Sequence, residues 1–197
     1  MPNLNLNLDK EFFGKKIIIT GASYGLGAMA CKFFAERDLK IAMLSRSKKK
    51  MDTLKSKMKN PKNHISIKVD LLKNNDVNKA FKKAKKFLKK IDIVLHIAGG
   101  GFGLKENLIK NDDLKKLFQI NVGAAAEINR LVIESKSTNK ILNLVHVGSI
   151  ASREAVGSVG YNTSKSALAA YVKSLGRVVY KKNVIATGIL PGGFIAP

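Results

Sequence analysis

Six short runs of β-branched and aliphatic residues, each separated from the next by a stretch with helical periodicity, constrain this chain more than any other feature. They are Ile17-Ile18-Ile19, Ile41 to Leu44, Ile65 to Val69, Ile91 to Ile97, Ile141 to Val147 and Val184 to Leu190. Strands joined through helices must cross over the sheet and so lie parallel, and a parallel sheet needs both faces covered. The order predicts an α/β fold: a three-layer, doubly wound parallel sheet with six recognisable strands, right-handed crossovers, and ligands at the carboxyl ends of the strands.

Composition narrows the class. At 197 residues the chain fits one domain with a sizeable core. No run reaches the roughly 18 apolar residues of a membrane helix, and the N-terminus lacks the basic-then-apolar pattern of a secretory signal. Cys31 is the only cysteine, so no intramolecular disulfide can form and a cytoplasmic location is the expectation. Residues 1–13 alternate Asn and Leu before turning charged, which reads as a loose leader or a short edge strand ahead of a single domain over 14–197.

The formal charge of +22 raises the question of nucleic acid. The excess is almost all lysine. In the segment from Val77 to Leu88, lysines alternate with a stripe of Val77, Ala80, Phe81, Ala84, Phe87 and Leu88 at helical spacing. Arginine-led base readout and aromatic stacking platforms are missing from it, so a solvated helix face is expected, with neither a nucleic-acid nor a membrane partner.

The first strand runs into Thr20-Gly21-Ala22-Ser23-Tyr24-Gly25-Leu26-Gly27 and then a helical stretch. Glycines serve where a backbone turns tightly and approaches a pyrophosphate, which the helix N-terminus can bind through free N–H groups. The end of the second strand reads Leu44-Ser45-Arg46-Ser47. It lacks the carboxylate that would bond a ribose 2′-hydroxyl, whereas Arg46 offers a fork suited to a 2′-phosphate. NADPH/NADP+ is therefore expected over NADH/NAD+. Asp70, ending the third strand, is either an adenine contact or a helix cap.

Tyr161-Asn162-Thr163-Ser164-Lys165 puts a phenol and an ammonium one helical turn apart. An adjacent ammonium favours a phenolate, which is what lets a tyrosine act as acid and base near neutral pH. Ser149 leaves the fifth strand at its ligand-binding end. Asn121 interrupts an apolar stripe of Leu114, Leu117, Phe118, Val122, Ala125, Ile128 and Val132, either to cap a neighbouring strand or to serve a proton relay.

Taken together, these residues resemble the short-chain dehydrogenase/reductase family, particularly its 3-oxoacyl-carrier-protein reductases. The match runs from Lys15 to Gly193 on Thr20-Gly21 with Gly25 and Gly27, Asp70, Ala98-Gly99, Asn121, Ser149, Tyr161 with Lys165, and Pro191-Gly192. The resemblance implies a Rossmann fold and an NADP(H)-dependent oxidoreductase acting on a carbonyl or secondary alcohol. It implies a tetrad: Tyr161 as general acid/base, Ser149 positioning the carbonyl, Lys165 supporting the phenolate and holding the nicotinamide ribose, and Asn121 holding a relay water. Gly21, Ser23, Tyr24, Gly25, Leu26, Gly27, Ser45, Arg46, Asp70, Leu71, Ala98, Gly99, Pro191 and Gly192 would complete the cofactor site with Tyr161 and Lys165, and no metal is expected. A small-molecule or acyl-thioester substrate and a homo-oligomer, dimer or tetramer, follow from the same resemblance.

The departures matter. His96-Ile97 stands where the family has Asn-Asn, so strand-end hydrogen bonds must be rearranged. Tyr24 replaces a residue often basic in NADPH-preferring members, the loop from Ser149 to Tyr161 is about one residue short with Ser152 as an alternative serine, and Ala196 replaces a cofactor-gripping threonine. His64 and His146 lack metal-like spacing and are expected to pack. The sequence stops where the substrate loop and last strand would follow, so weak activity, or a non-catalytic dinucleotide-binding or interaction protein, is the alternative expectation.

Overall fold

A computed structural model describes residues 7–104 and 108–193. The opening residues 1–6, Ala196 and the rest of 194–197 therefore lie outside the described residues.

The six expected strands form one parallel sheet: β1 Lys16–Thr20, β2 Lys40–Ser45, β3 His64–Lys68, β4 Ile93–His96, β5 Leu142–Val147 and β6 Val184–Ile189. Their order across the sheet is β3-β2-β1-β4-β5-β6, the doubly wound arrangement whose direction reverses between β1 and β4. The helices are α1 Leu8–Phe12, α2 Gly25–Glu36, α3 Lys48–Ser56, α4 Asn74–Leu88, α5 Asn111–Phe118, α6 Ala124–Glu134 and α7 Val159–Val179. None of them is long and apolar enough to cross a membrane.

Period-two alternation explains why β1 is apolar throughout. Ile17 and Ile19 point into a core shared with Cys31 and Ala35 of α2 and Met51 of α3. Ile18 points the other way, to Phe81 and Ala84 of α4 and Ile128 of α6. All three isoleucines are fully buried, at about 1.5–3 kcal/mol each relative to exposure. The lysine-rich α4 follows its pattern: Val77, Ala80, Phe81, Ala84 and Leu88 are buried, while Lys79, Lys82, Lys83 and Lys86 are exposed.

Two local features differ from the sequence pattern. Residues 8–12 form helix α1, capped by the Asn7 side chain accepting from Lys10 N–H at 3.1 Å, and Phe12 meets Phe34 of α2 edge-on at 5.2 Å. Between α5 and α6, Gln119–Gly123 is π-helical. A π turn holds an extra residue, and the expected stripe stays buried at Leu117, Val122, Ala125, Ile128 and Val132 on either side of its start. Phe118 ends up 48% exposed, and Asn121 is turned inward to 2%.

Candidate active site

The carboxyl ends of β1, β2, β3 and β4 open onto a cleft of about 420 Å³, at the point where strand order reverses. Gly21, Ser23, Tyr24, Gly25, Leu26, Ser45, Arg46, Asp70, Leu71, Ala98 and Gly99, all expected at a cofactor site, line it. Gly27 lies beneath. A Cβ on Gly27 would collide with the Gly21 carbonyl, and one on Gly21, whose φ is +72°, would meet the Ala98 backbone N at 2.9 Å. Only glycine lets the β1–α2 turn lie this close to the β4 end. Helix α2 begins at this turn with no side-chain cap, leaving its first N–H groups directed at the cleft.

Neighbouring polar groups fix the cradle. Thr20 Oγ1 accepts from Ile97 and Ala98 N–H, both at 3.2 Å, tying β1 to the segment after β4. The Ser23 and Ser45 hydroxyls share a hydrogen bond of 2.7 Å. Asp70 accepts from Leu72 N–H at 3.1 Å, while the N-cap of α4 is Lys73; Asp70 is a turn-former facing the cleft and not the helix cap. Tyr24 is 64% exposed, with Lys50 Nζ 5.9 Å from its ring centroid.

On the other side, α7 places Tyr161 and Lys165 one turn apart, with Lys165 Nζ 5.7 Å from the Tyr161 ring centroid. Tyr161 is half-buried, its ring flanking Gly101 after β4. Lys165 is 4% exposed and donates to Val147 O at 3.1 Å, at the end of β5. Burial lowers its pKa to about 8. Among the described residues no carboxylate lies within salt-bridge distance of it.

Asn121 satisfies every polar atom of its amide. It accepts from Gly100 N–H and donates to Gly100 O and Leu117 O, each at 3.0 Å, and to Ser164 Oγ at 3.2 Å. Ser164 in turn donates to Tyr161 O at 3.0 Å. Asn121 thus anchors the segment after β4 and is linked through Ser164 to the tyrosine's own backbone. A Cβ on Gly99 would press on both Asn121 Oδ1 (2.6 Å) and Lys165 Nζ (3.2 Å), so glycine there lets the segment after β4 pack directly on both. Ser149 caps a short 3-10 turn, Ile150–Ser152, by accepting from Ala151 N–H at 3.1 Å. Pro191 O accepts from Ile150 N–H at 3.1 Å, which brings Pro191-Gly192 beside it. Ser152 Oγ is buried without a partner.

The substitution at His96 is compensated within the core. His96 Nε2 bonds Asn129 Oδ1 at 2.8 Å; Asn129 Nδ2 bonds His146 Nε2 at 2.9 Å and Tyr171 OH at 3.1 Å; His146 Nδ1 bonds Thr187 O at 3.1 Å. Because a carbonyl only accepts, His146 must carry its proton on Nδ1, and the chain then sets Asn129 and puts the His96 proton on Nε2. The two rings stack at 4.7 Å. Burial, and next the neighbouring His146, lowers the His96 pKa to about 3; burial also lowers that of His146, so both are neutral. His64 packs separately, bonding Lys59 O at 2.8 Å. Among the described residues no group of three His, Cys, Asp or Glu could hold a metal ion.

Sequence reading missed Ser164, which follows Tyr161 by three positions on the helix face turned inward, and Asn129, a second amide inside the α6 stripe. It also missed Ile97, Phe102 and Ile120 in the cleft wall. The three consecutive glycines Gly99-Gly100-Gly101 after β4 were the available signal for that wall.

Residues 15–197 match the family model for short chain dehydrogenase. The chain is 26% identical over 179 residues to carbonyl reductase family member 4 of Xenopus tropicalis, covering 90% of this chain and 75% of that protein. It is 26% identical over 185 residues to the 3-oxoacyl-[acyl-carrier-protein] reductase FabG of Rickettsia typhi, covering 92% and 73%. Among solved structures, a 7α-hydroxysteroid dehydrogenase complexed with NADH and 7-oxo glycochenodeoxycholic acid superposes with a TM-score of 0.89 at 23% identity, covering 97% of this chain and 76% of the other.

Proposed function

Because this chain belongs to the short-chain dehydrogenase family, we propose that it is an NADP(H)-dependent carbonyl reductase in which Tyr161 transfers the proton. The observation that carries this reading is the ammonium of Lys165, buried one turn from Tyr161 with no carboxylate within salt-bridge distance among the described residues. Burying a cation without a counter-ion is costly, and such expense is characteristic of functional sites.

The glycine cradle fits a dinucleotide: without a Cβ at Gly21 or Gly27 the β1–α2 turn packs tightly on itself and on the β4 end, and the uncapped α2 N-terminus is left facing the cleft. Arg46 would take the 2′-phosphate, Asp70 and Leu71 would flank the adenine, and Tyr161, Lys165 and Pro191-Gly192 would hold the nicotinamide end. When bound, the dinucleotide supplies the hydride to a carbonyl carbon or accepts it from an alcohol.

The residues of the chain manage the proton. Tyr161 Oη donates to the carbonyl oxygen as it becomes an alkoxide, or withdraws a proton in the reverse direction. The Lys165 ammonium stabilises the phenolate left behind, and Val147 O fixes where that charge sits. Ser149 Oγ positions the substrate oxygen, with its remaining lone pair and proton available beyond the Ala151 bond. Asn121 holds the Gly100 segment and, through Ser164, the start of α7 in register with β4. Likeness to the 3-oxoacyl-carrier-protein reductase favours an acyl-thioester carbonyl as substrate. A cytoplasmic location accords with Cys31, whose thiol is fully buried and pushed up to about 12.

The direct test is NADPH oxidation by the purified chain with an acetoacetyl thioester. Tyr161→Phe should lower kcat about 10³-fold while leaving dinucleotide affinity within a few-fold. Tight NADPH binding with no oxidation by the unaltered chain, across carbonyl substrates of several sizes, would identify a binding protein instead.

A further inference from the structure

Past Arg46 a second concavity, of about 580 Å³, opens between the ends of β2 and β3 and the first half of α4. Five cations line it: Arg46, Lys68, Lys73, Lys79 and Lys83. Asp70 and Asp76 are the carboxylates in the same wall.

Elsewhere among the described residues, seven cations are paired with carboxylates. Lys48 meets Asp52 at 2.6 Å, Lys116 meets Asp113 at 3.1 Å, and Arg130 is held by Glu127 and Glu134 at 2.8 and 2.7 Å. Among the described residues, none of the five basin cations lies within 4 Å of a carboxylate, although two carboxylates share the wall with them. Lys79 and Lys83 stand one turn apart on α4, a spacing at which like charges repel each other and destabilise a helix. A concave wall over low-dielectric protein focuses this field and draws in counter-ions. The two lysines belong to the stripe that sequence alone assigns to solvent, and the fold turns them toward Arg46.

Charge decides what would fill the basin. Five cations against two carboxylates leave three uncompensated positive charges. A phosphate monoester brings about −1.5 to −2, so a single phosphate leaves the basin positive. Three or more linked phosphates would neutralise it and supply enough acceptor oxygens for several ammonium groups at once.

We propose that this basin is a binding site for a linear oligophosphate, adjoining the dinucleotide cleft through Arg46 but recognising its ligand through Lys68, Lys73, Lys79 and Lys83. The site does not rest on the dinucleotide reading, since it is tested on the chain alone.

Calorimetric titration with tripolyphosphate and with orthophosphate, at matched ionic strength, measures it. Tripolyphosphate should bind at least tenfold more tightly than orthophosphate, with affinity falling steeply as salt rises. K79E/K83E should weaken tripolyphosphate at least tenfold. K62E/K181E, the same charge change made at exposed lysines at the amino ends of β3 and β6, away from the carboxyl ends that border the basin, should weaken it less than twofold. Circular dichroism checks that both variants fold, with Lys79→Gln/Lys83→Gln as the milder replacement. Equal losses in the two double variants would reduce the effect to overall charge and overturn the site. So would equal affinity for the two anions, or preference for a single-stranded oligonucleotide over tripolyphosphate at equal phosphate concentration.

Discussion

The two sides of the cleft are built from different materials. On the side of β1–β3, the site is backbone and exposed charge: Gly21 and Gly27 are there because a Cβ would collide, and Arg46 reaches outward into solvent. On the side of β4–β6, it is buried side chains that satisfy one another: Asn121 with Ser164 and Gly100, Lys165 with Val147, and His96 with Asn129 and His146. The first side can lose a surface charge and keep its shape. The second cannot lose a partner without leaving a buried donor or acceptor unpaired, at about 1–3 kcal/mol. Binding and chemistry should therefore respond differently to mutation and to pH.

The largest separation is expected at Lys165. Lys165→Met should lower kcat by ~10² or more by removing the charge beside the phenolate. It should also raise thermal stability near pH 7, because relief of the buried charge outweighs the Val147 carbonyl left unpaired. The folded-state pKa of about 8 lies below the ordinary 10.5, so burying the ammonium costs about 3 kcal/mol. That cost is complete below about pH 8 and fades as pH rises toward 10.5, because over that window only the unfolded chain keeps the proton. Melting curves from pH 7 to 10 test it; a stability deficit in the methionine variant at pH 7 would break the comparison.

Next is acid lability of the buried pair. His96, held to about 3 against an ordinary 6.5, contributes stability fully present above about pH 6.5. It is lost as pH falls, at up to roughly 1.4 kcal/mol per pH unit, since the unfolded chain takes up the proton first. Urea unfolding between pH 7 and 4 should show a steep decline in the unaltered chain and a shallower one in His96→Asn. Parallel declines would place the acid sensitivity elsewhere.

The smallest effect is expected on the exposed side. Arg46→Ala should weaken NADPH about tenfold, the value of a charge-assisted hydrogen bond or a little less, and leave NADH unchanged. Titrations of both dinucleotides decide it, and equal affinities in the unaltered chain would remove the NADP(H) preference.

The difference between the two sides also explains what could be read in advance. Strand positions, the α4 stripe and the glycine turn were legible because they obey local periodicity or local steric limits. The expected strand from Ile91 to Ile97 was too long: β4 spans Ile93–His96, and Ile97 and Ala98 donate instead to Thr20 Oγ1, 77 and 78 residues away in sequence. The apolar stripe held at Leu117, Val122, Ala125, Ile128 and Val132, with Asn121 inward among them, and failed at Phe118, which is exposed where the π turn begins. His146 looked like a packing residue because nothing adjacent in sequence names its partners, Asn129 and Thr187.

By itself, then, the sequence determined a parallel α/β sheet, its family, and the positions of Tyr161, Lys165 and the glycine cradle, since each depends on residues within a few positions of one another. Only the tertiary structure decided that Lys165 has no counter-ion among the described residues, that Ser164 joins Asn121 to the tyrosine helix, and that four lysines converge with Arg46. Those outcomes depend on which distant segments the sheet order brings together, and on whether a buried polar atom finds its partner there.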